Sequence, residues 1–102
     1  MVQVSIHAKK RMHERCGIKP KSVDRLANIV FNNGLTHAET IGSLNRYITS
    51  LYSYNGQANN IRLYGDKTYV FCNDVLVTVF DTPRIYINLV KKLIDRRDKI
   101  AR

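Results

Sequence analysis

Three side chains near the N-terminus combine a proton-transfer group with two phosphate-binding groups. His7, Arg11 and Arg15 follow one another at intervals of four residues, which places them on one face of a helix. Imidazole titrates close to neutral pH, so His7 could accept or deliver a proton there. The planar guanidinium of arginine is well suited to binding phosphate. The row therefore predicts a phosphate-binding site in which His7 could transfer a proton.

The same pattern has a simpler interpretation. A basic helix of a small protein is often only a solvent-exposed face, and a histidine at a helix start often caps the helix or packs beside it. The other histidines do not decide the matter. His13 lies about 240° around the helix from His7, and nothing in the sequence relates His37 to the row.

Positive charge is concentrated at the two ends of the chain. The 102 residues carry 17 Lys and Arg against 8 Asp and Glu, a net charge of +9. Residues 1–25 and 84–102 each contribute +5, whereas residues 26–83 contribute −1. This distribution favours one or two positive surfaces for an acidic partner such as RNA or the ribosome. Solvated helix faces would produce the same distribution.

Length, apolar runs and cysteine spacing argue against several protein classes. A chain of 102 residues has room for a single domain, residues 1–102. The longest apolar run, residues 75–80, is far shorter than the roughly 20 residues that cross a bilayer, and residues 1–6 do not resemble a signal peptide. Cys16 and Cys72 form no CxxC pair, which gives neither a zinc site nor a disulfide framework. We expect a soluble cytoplasmic protein with no membrane, metal or cofactor.

Apolar periodicity predicts the elements that would position these groups. Helices are expected over residues 6–16, between residues 19 and 34, over roughly 37–52 and over 84–100, although residues 47–52 are also compatible with a strand. Strands are expected over 61–64, 68–72 and 76–80, joined by hairpin turns. The predicted fold class is α+β: N-terminal helices packed on a small antiparallel β-meander, with an additional basic C-terminal helix.

The C-terminal helix, within residues 84–102, carries the second group of cations. Its apolar side chains recur at helical spacing on one side, and its basic side chains lie on the other. This basic side contains no proton-transfer group, so we expect it to hold a polyanion rather than to catalyse a reaction. The side chains predicted to bind nucleic acid are Lys10, Lys91, Lys92, Arg96 and Arg97.

The first helix resembles a known sequence pattern. His7-Ala-Lys-Lys-Arg-Met-His-Glu-Arg-Cys-Gly-Ile18 is similar to the opening HAxxRMxERGI of a family of small phage- and toxin-associated domains, with one Cys inserted before the Gly. The second block of resemblance is a meander whose last strand carries a threonine, here Leu76-Val-Thr-Val-Phe80. Those domains are related to the BrnT and RelE toxins, in the barnase, colicin-ribonuclease and RelE-like superfamily. Residues 35–60 and the helix from Arg84 onward are additions to that pattern.

The resemblance implies metal-independent cleavage of RNA. In that chemistry a base takes the proton of a 2′-hydroxyl, the 2′-oxygen attacks the adjacent phosphate, and cations stabilise the developing charge. The residues that the resemblance marks as catalytic are His7 for proton transfer, Arg11 and Arg15 for the phosphate clamp, and Thr78 as a hydrogen-bonding residue on the sheet face toward the first helix. Tyr69 and Tyr86 are further candidates, for acid catalysis or for stacking on a base.

Three functions remain open at this point. The first, which the residues favour, is a metal-independent ribonuclease or toxin-like domain acting on RNA phosphodiester bonds. The second is a protein of the same fold that binds RNA or the ribosome without cleaving it. The third is a phage or host regulator that engages an acidic protein partner of the antitoxin or immunity type.

Overall fold

The fold is an α+β arrangement of four helices around a four-stranded sheet. The computed structural model describes residues 2–54 and 58–100. In chain order its elements are β1 (Gln3–Val4), α1 (Ile6–Cys16), α2 (Pro20–Asn33), a 3-10 turn (His37–Glu39), α3 (Gly42–Tyr54), β2 (Asn60–Tyr64), β3 (Lys67–Cys72), β4 (Val75–Asp81) and α4 (Arg84–Ile100).

Most predicted elements are confirmed, with small differences at their ends. The first and last helices and the three predicted strands begin within one residue of the positions that the periodicity indicates. The third helix begins at Gly42 rather than at residue 37, because His37–Glu39 forms a separate 3-10 turn that ends at Thr40. Residues 101 and 102, which belong to the predicted basic region, lie outside the described residues.

The meander pattern predicted a wholly antiparallel sheet, but the observed sheet is mixed. The strand order is β1-β4-β3-β2, with β1 parallel to β4 and the other neighbours antiparallel. A two-residue strand has too little alternation to be recognised in a sequence. The backbone N–H groups of Gln3 and Ser5 hold β1 in the sheet. They donate to the carbonyls of Asp74 and Leu76, each at 2.9 Å. The Ser5 hydroxyl then accepts from the Ala8 N–H at 3.0 Å and caps α1.

Strand β3 is buried on both of its faces. Its residues Thr68, Tyr69, Val70 and Phe71 are consecutive, and none is more than 3% exposed. Successive side chains of a strand point to opposite faces of the sheet, so these four residues supply apolar contacts to both. The core is therefore divided into two clusters, one on each face.

The first cluster packs α1 and α2 against one face of the sheet, here named the α1 face. Tyr69 and Phe71 of β3 join Met12 of α1 and Val30 of α2 in this cluster. Gly17, with a φ of 65°, ends α1 in the left-handed conformation and allows the chain to turn into α2. The two predicted N-terminal helices thus pack side by side on the sheet.

The second cluster packs α3 and α4 against the opposite face, here named the α4 face. Val70 of β3 joins Leu44 and Ile48 of α3 and Val90 of α4. Both helices come from residues 35–60 and 84–100, so these two segments together supply the helical layer of the α4 face. No helix in the described part of the chain is both long and apolar enough to span a membrane.

A bulge in β4 changes which side chains face which helices. Leu76 pairs with Phe71, but the next pair joins Thr78, not Val77, to Val70. One extra residue in a strand reverses the alternation of the residues that follow it. Beyond the bulge, odd-numbered side chains of β4 therefore lie on the α1 face and even-numbered ones on the α4 face.

A single arginine ties the end of α4 to the turn that follows α2. Arg97 donates to the carbonyls of Asn33 and Gly34 at 2.6 and 3.3 Å, and to the carboxylate of Glu39 at 3.1 Å. A Cβ at Gly34 would lie 2.6 Å from the Val30 carbonyl oxygen, so this turn has no room for a side chain. The guanidinium meets the negative end of the α2 dipole. Arg97 therefore makes internal contacts, instead of the free phosphate contact predicted from the sequence.

Replacing Arg97 by Ala is expected to lower the free energy of unfolding by about 1–3 kcal/mol, because it removes the guanidinium that donates to two carbonyl groups and pairs with the Glu39 carboxylate. Urea denaturation followed by circular dichroism measures this change. Arg96→Ala is the matched control: it removes the neighbouring, exposed guanidinium and should change the free energy by no more than about 0.5 kcal/mol. Equal losses in the two variants would contradict the role assigned to Arg97.

Glu39 makes part of the stability depend on pH. Partial burial raises the pKa of its carboxyl, but hydrogen bonds from Thr36 and the charge of Arg97 together outweigh burial, and the pKa is lowered from its ordinary value of 4.5. A carboxyl with a lower pKa in the folded state stabilises the fold above its unfolded pKa. That stabilisation is lost as the pH falls through the folded pKa.

We expect the free energy of unfolding to fall with acidification below about pH 4.5, and to fall less steeply in Glu39→Gln, which cannot ionise. Urea denaturation at several pH values between about pH 3 and pH 6 gives both curves. Parallel curves would show that Glu39 does not carry this dependence.

Candidate nucleic-acid interface

The predicted row on α1 is open to solvent. His7 and Arg15 are exposed and Arg11 is partly exposed, whereas Ala8 and Met12, on the other side of the helix, are fully buried. The Arg11 Nε–H donates to Nε2 of His7 at 3.5 Å, so the imidazole and the guanidinium are in contact. The structure therefore brings together three of the four residues predicted to be catalytic.

Arg15 is hydrogen-bonded to the edge of the sheet. One of its terminal nitrogens donates to the Val79 carbonyl at 2.9 Å. In β4, strand β1 pairs only with Val75 and Leu76. The Val79 carbonyl therefore lies on a part of β4 that has no pairing with β1. Because a guanidinium has five N–H donors, the remaining ones can bind a phosphate. The bond fixes one end of the row against β4.

Thr78 does not join the row. A regular hairpin continuing from the Phe71–Leu76 pair would place Thr78 opposite Tyr69, on the α1 face, but the bulge places it opposite Val70. Directly opposed residues share a face, and Val70 belongs to the α4-face cluster. The prediction that Thr78 faces the first helix is therefore wrong: it lies on the face covered by α3 and α4.

The same bulge brings Asp81 to the α1 face, where the sequence analysis identified no site residue. Asp81 is opposite Lys67 of β3 and accepts a hydrogen bond from its ammonium group. That bond and the charge of Lys67, and to a smaller extent the charge of Arg15, lower the pKa of Asp81 against the opposing effect of burial. The Arg15 end of the row thus contains a carboxylate and a second cation. No sequence signal places Asp81 there, because its position depends on the bulge.

Lys10 and Glu14 border the row. The Glu14 carboxylate lies 4.0 Å from the Lys10 ammonium and 3.8 Å from an Arg11 terminal nitrogen. Exposed pairs of this kind contribute little to stability, so a polyanion can compete with Glu14 for both cations. Lys10 is exposed, as its predicted role in nucleic-acid binding requires.

The predicted cations of α4 belong to a different surface. Lys91, Lys92 and Arg96 are exposed, and no ion pair within residues 2–54 and 58–100 involves them. Because α4 covers the α4 face, these side chains lie on the opposite side of the sheet from the row on α1. Arg97 does not belong with them, since its guanidinium is bonded to Glu39 and to the turn after α2.

The remaining candidates are not exposed members of the row. Tyr69 is 3% exposed and belongs to the core, while Tyr86 stacks on Tyr47 of α3 with ring centroids 5.0 Å apart. His37 is hydrogen-bonded to Thr49 of α3 at 2.9 Å. Among the described residues, no three His, Cys, Asp or Glu side chains lie close enough together to hold a metal ion.

The arrangement can bind phosphate groups along the outer side of α1. Arg15 lies eight positions after His7 on the helix, a distance of about 12 Å along the axis. The row is therefore longer than one phosphate group, and Asp81 lies at its far end from His7. A phosphate held at His7 and Arg11 has one imidazole as its proton-transfer group.

Comparisons of the chain with models of protein families, with curated proteins and with solved structures gave no match. The resemblance to BrnT- and RelE-type domains stays a prediction, and the function is inferred from the site itself.

Proposed function

We propose that this chain is an RNA-binding protein that contacts the phosphate backbone through His7, Arg11 and Arg15 on α1. The observation that carries the proposal is the exposed row itself, whose Arg11 touches His7 and whose Arg15 is held against β4. The resemblance of this helix to RNA-cleaving domains favours RNA over other polyanions.

The covered sheet supports a helix surface as the binding site. Core clusters occupy both faces of the sheet, so bases cannot stack on the strands as they do in proteins that bind RNA on an open sheet. Phosphate groups can instead reach the guanidinium donors on the outer side of α1. Binding of this kind releases counterions, and its affinity falls as salt rises.

Replacing Arg11 by Gln is expected to weaken binding and to reduce the slope of log affinity against log salt by about 0.7, the contribution of one contact to a single-stranded phosphate. Fluorescence anisotropy of a labelled single-stranded RNA at several salt concentrations measures the slope. Arg46→Gln, which removes the same charge from an exposed position on α3, is the control and should leave the slope nearly unchanged. Equal slopes for the two variants would show that net charge, and not the row, binds the RNA.

A second candidate function is cleavage of the bound RNA without a metal ion. The contact between His7 Nε2 and the Arg11 guanidinium at 3.5 Å favours it, because it places a base beside a group that stabilises negative charge. His7 would take the 2′-hydroxyl proton while the 2′-oxygen attacks phosphorus and the bond to the 5′-oxygen breaks. The 5′-oxygen receives a proton, and the products are a 2′,3′-cyclic phosphate and a 5′-hydroxyl. Thr78, the fourth residue predicted to be catalytic, lies on the other face of the sheet from the row. For this reason we rank RNA binding above RNA cleavage.

If cleavage occurs, the wild-type chain incubated with labelled RNA in excess chelator produces fragments with 2′,3′-cyclic phosphate ends. His7→Ala should abolish these fragments. The control is His13→Ala, which removes another exposed imidazole from the same helix and should cleave like the wild type. RNA that stays intact under conditions where binding is measured would leave RNA binding as the function and exclude cleavage.

A further inference from the structure

Two basic surfaces lie on opposite sides of the sheet. The first, named the α1–α2 surface, contains the row on α1 together with the exposed cations Lys9, Lys10, Lys19 and Arg25. The second, named the α4 surface, contains the exposed cations Lys91, Lys92, Arg96 and Lys99. Each surface also carries two acidic residues, Glu14 and Asp24 on the first and Asp95 and Asp98 on the second. Both surfaces therefore keep a positive balance.

The direction of the α4 cations is set by packing. Val90 is fully buried against the α4 face, and Arg97 ties the end of the helix to Glu39. With these two positions directed inward, Lys91, Lys92 and Arg96 are held on the outer side of a helix of 17 residues. Such a helix is about 25 Å long, enough to follow several phosphates of a nucleic-acid strand.

The two surfaces are far enough apart to act independently. The molecule extends at least 25 Å in every direction, and the sheet with its two helical layers separates the surfaces. The Debye length at physiological ionic strength is about 8 Å. A polyanion bound to one surface therefore leaves the positive potential of the other almost unchanged.

We propose that one chain binds two RNA segments at once, one on each basic surface, and so bridges them. The proposal rests on the function proposed above, since the α1–α2 surface contains the row on α1. It adds a second, separate RNA site on α4 that consists of cations alone. The expected partner of the α4 surface is the phosphate backbone of RNA, through contacts with little dependence on base sequence.

Capture of one RNA by another tests the bridge. An immobilised RNA is incubated with the protein, and a labelled RNA of unrelated, non-complementary sequence is added. We expect the labelled RNA to be retained only when protein is present, and retention to fall again at large protein excess, because each RNA then carries its own protein. Retention of protein without retention of the labelled RNA would overturn the bridge and leave the proposed RNA binding intact. Failure of the protein to bind the immobilised RNA would instead contradict the proposed function itself.

Variants of α4 identify the second site. The triple substitution Lys91→Gln, Lys92→Gln and Arg96→Gln should lower retention of the labelled RNA at least tenfold and reduce the binding stoichiometry from two short RNAs per chain to one. Leu89→Gln is the control, because it alters a 38% exposed side chain of the same helix without changing charge, and it should bridge normally.

Two outcomes would overturn the assignment to α4. Undiminished bridging by the triple variant would mean that self-association of the chain, and not the α4 surface, joins the RNAs. Loss of bridging in Leu89→Gln with normal bridging in the triple variant would make α4 an apolar contact between copies of the chain, and not an RNA site.

Discussion

Burial of β3 on both faces is the constraint on which the rest of the structure depends. Four consecutive residues, 68–71, place buried side chains alternately on the two sides, so either face left open would expose part of the core to water. Even the polar member satisfies this constraint: the Thr68 hydroxyl is hydrogen-bonded to that of Thr82 at 2.8 Å and lies 3.3 Å from the Tyr47 hydroxyl. A sheet built around such a strand needs two helical layers, which α1 with α2 and α3 with α4 provide.

The two covering layers also determine where a ligand can bind. Each helix uses its apolar side against the sheet, so its charged side is left on the outside of the molecule. Positive charge from the two ends of the chain is thereby distributed to opposite sides, with the nearly neutral residues 26–83 supplying the sheet, most of α2 and α3. The surfaces offered to RNA are outer helix faces, and the sheet acts as the support that holds them apart.

Residues of one type take different roles according to small differences in position. Arg96 and Arg97 are neighbours, but about 100° of helix rotation separates them: Arg96 is exposed, and Arg97 bonds to Glu39 and the turn after α2. Arg11 and Arg15 share one row, yet Arg11 contacts His7 while Arg15 is bonded to the Val79 carbonyl. Residue type and helical spacing identify a basic surface, and the tertiary contacts select the members that are free to bind a ligand.

Features that depend on nearby residues could be predicted from the amino-acid sequence. The limits of the first and last helices, the spacing of His7, Arg11 and Arg15 and the separation of charge along the chain all follow from local periodicity and composition. Only the tertiary structure decided the pairing of β1 with β4, the internal role of Arg97 and the side of the sheet on which Thr78 lies. These features join residues far apart in the chain, and in β4 one extra residue reverses the facing of every side chain after it. A bulge of this kind leaves no periodic signal, because the strand is too short for its reversal to be distinguished from ordinary variation.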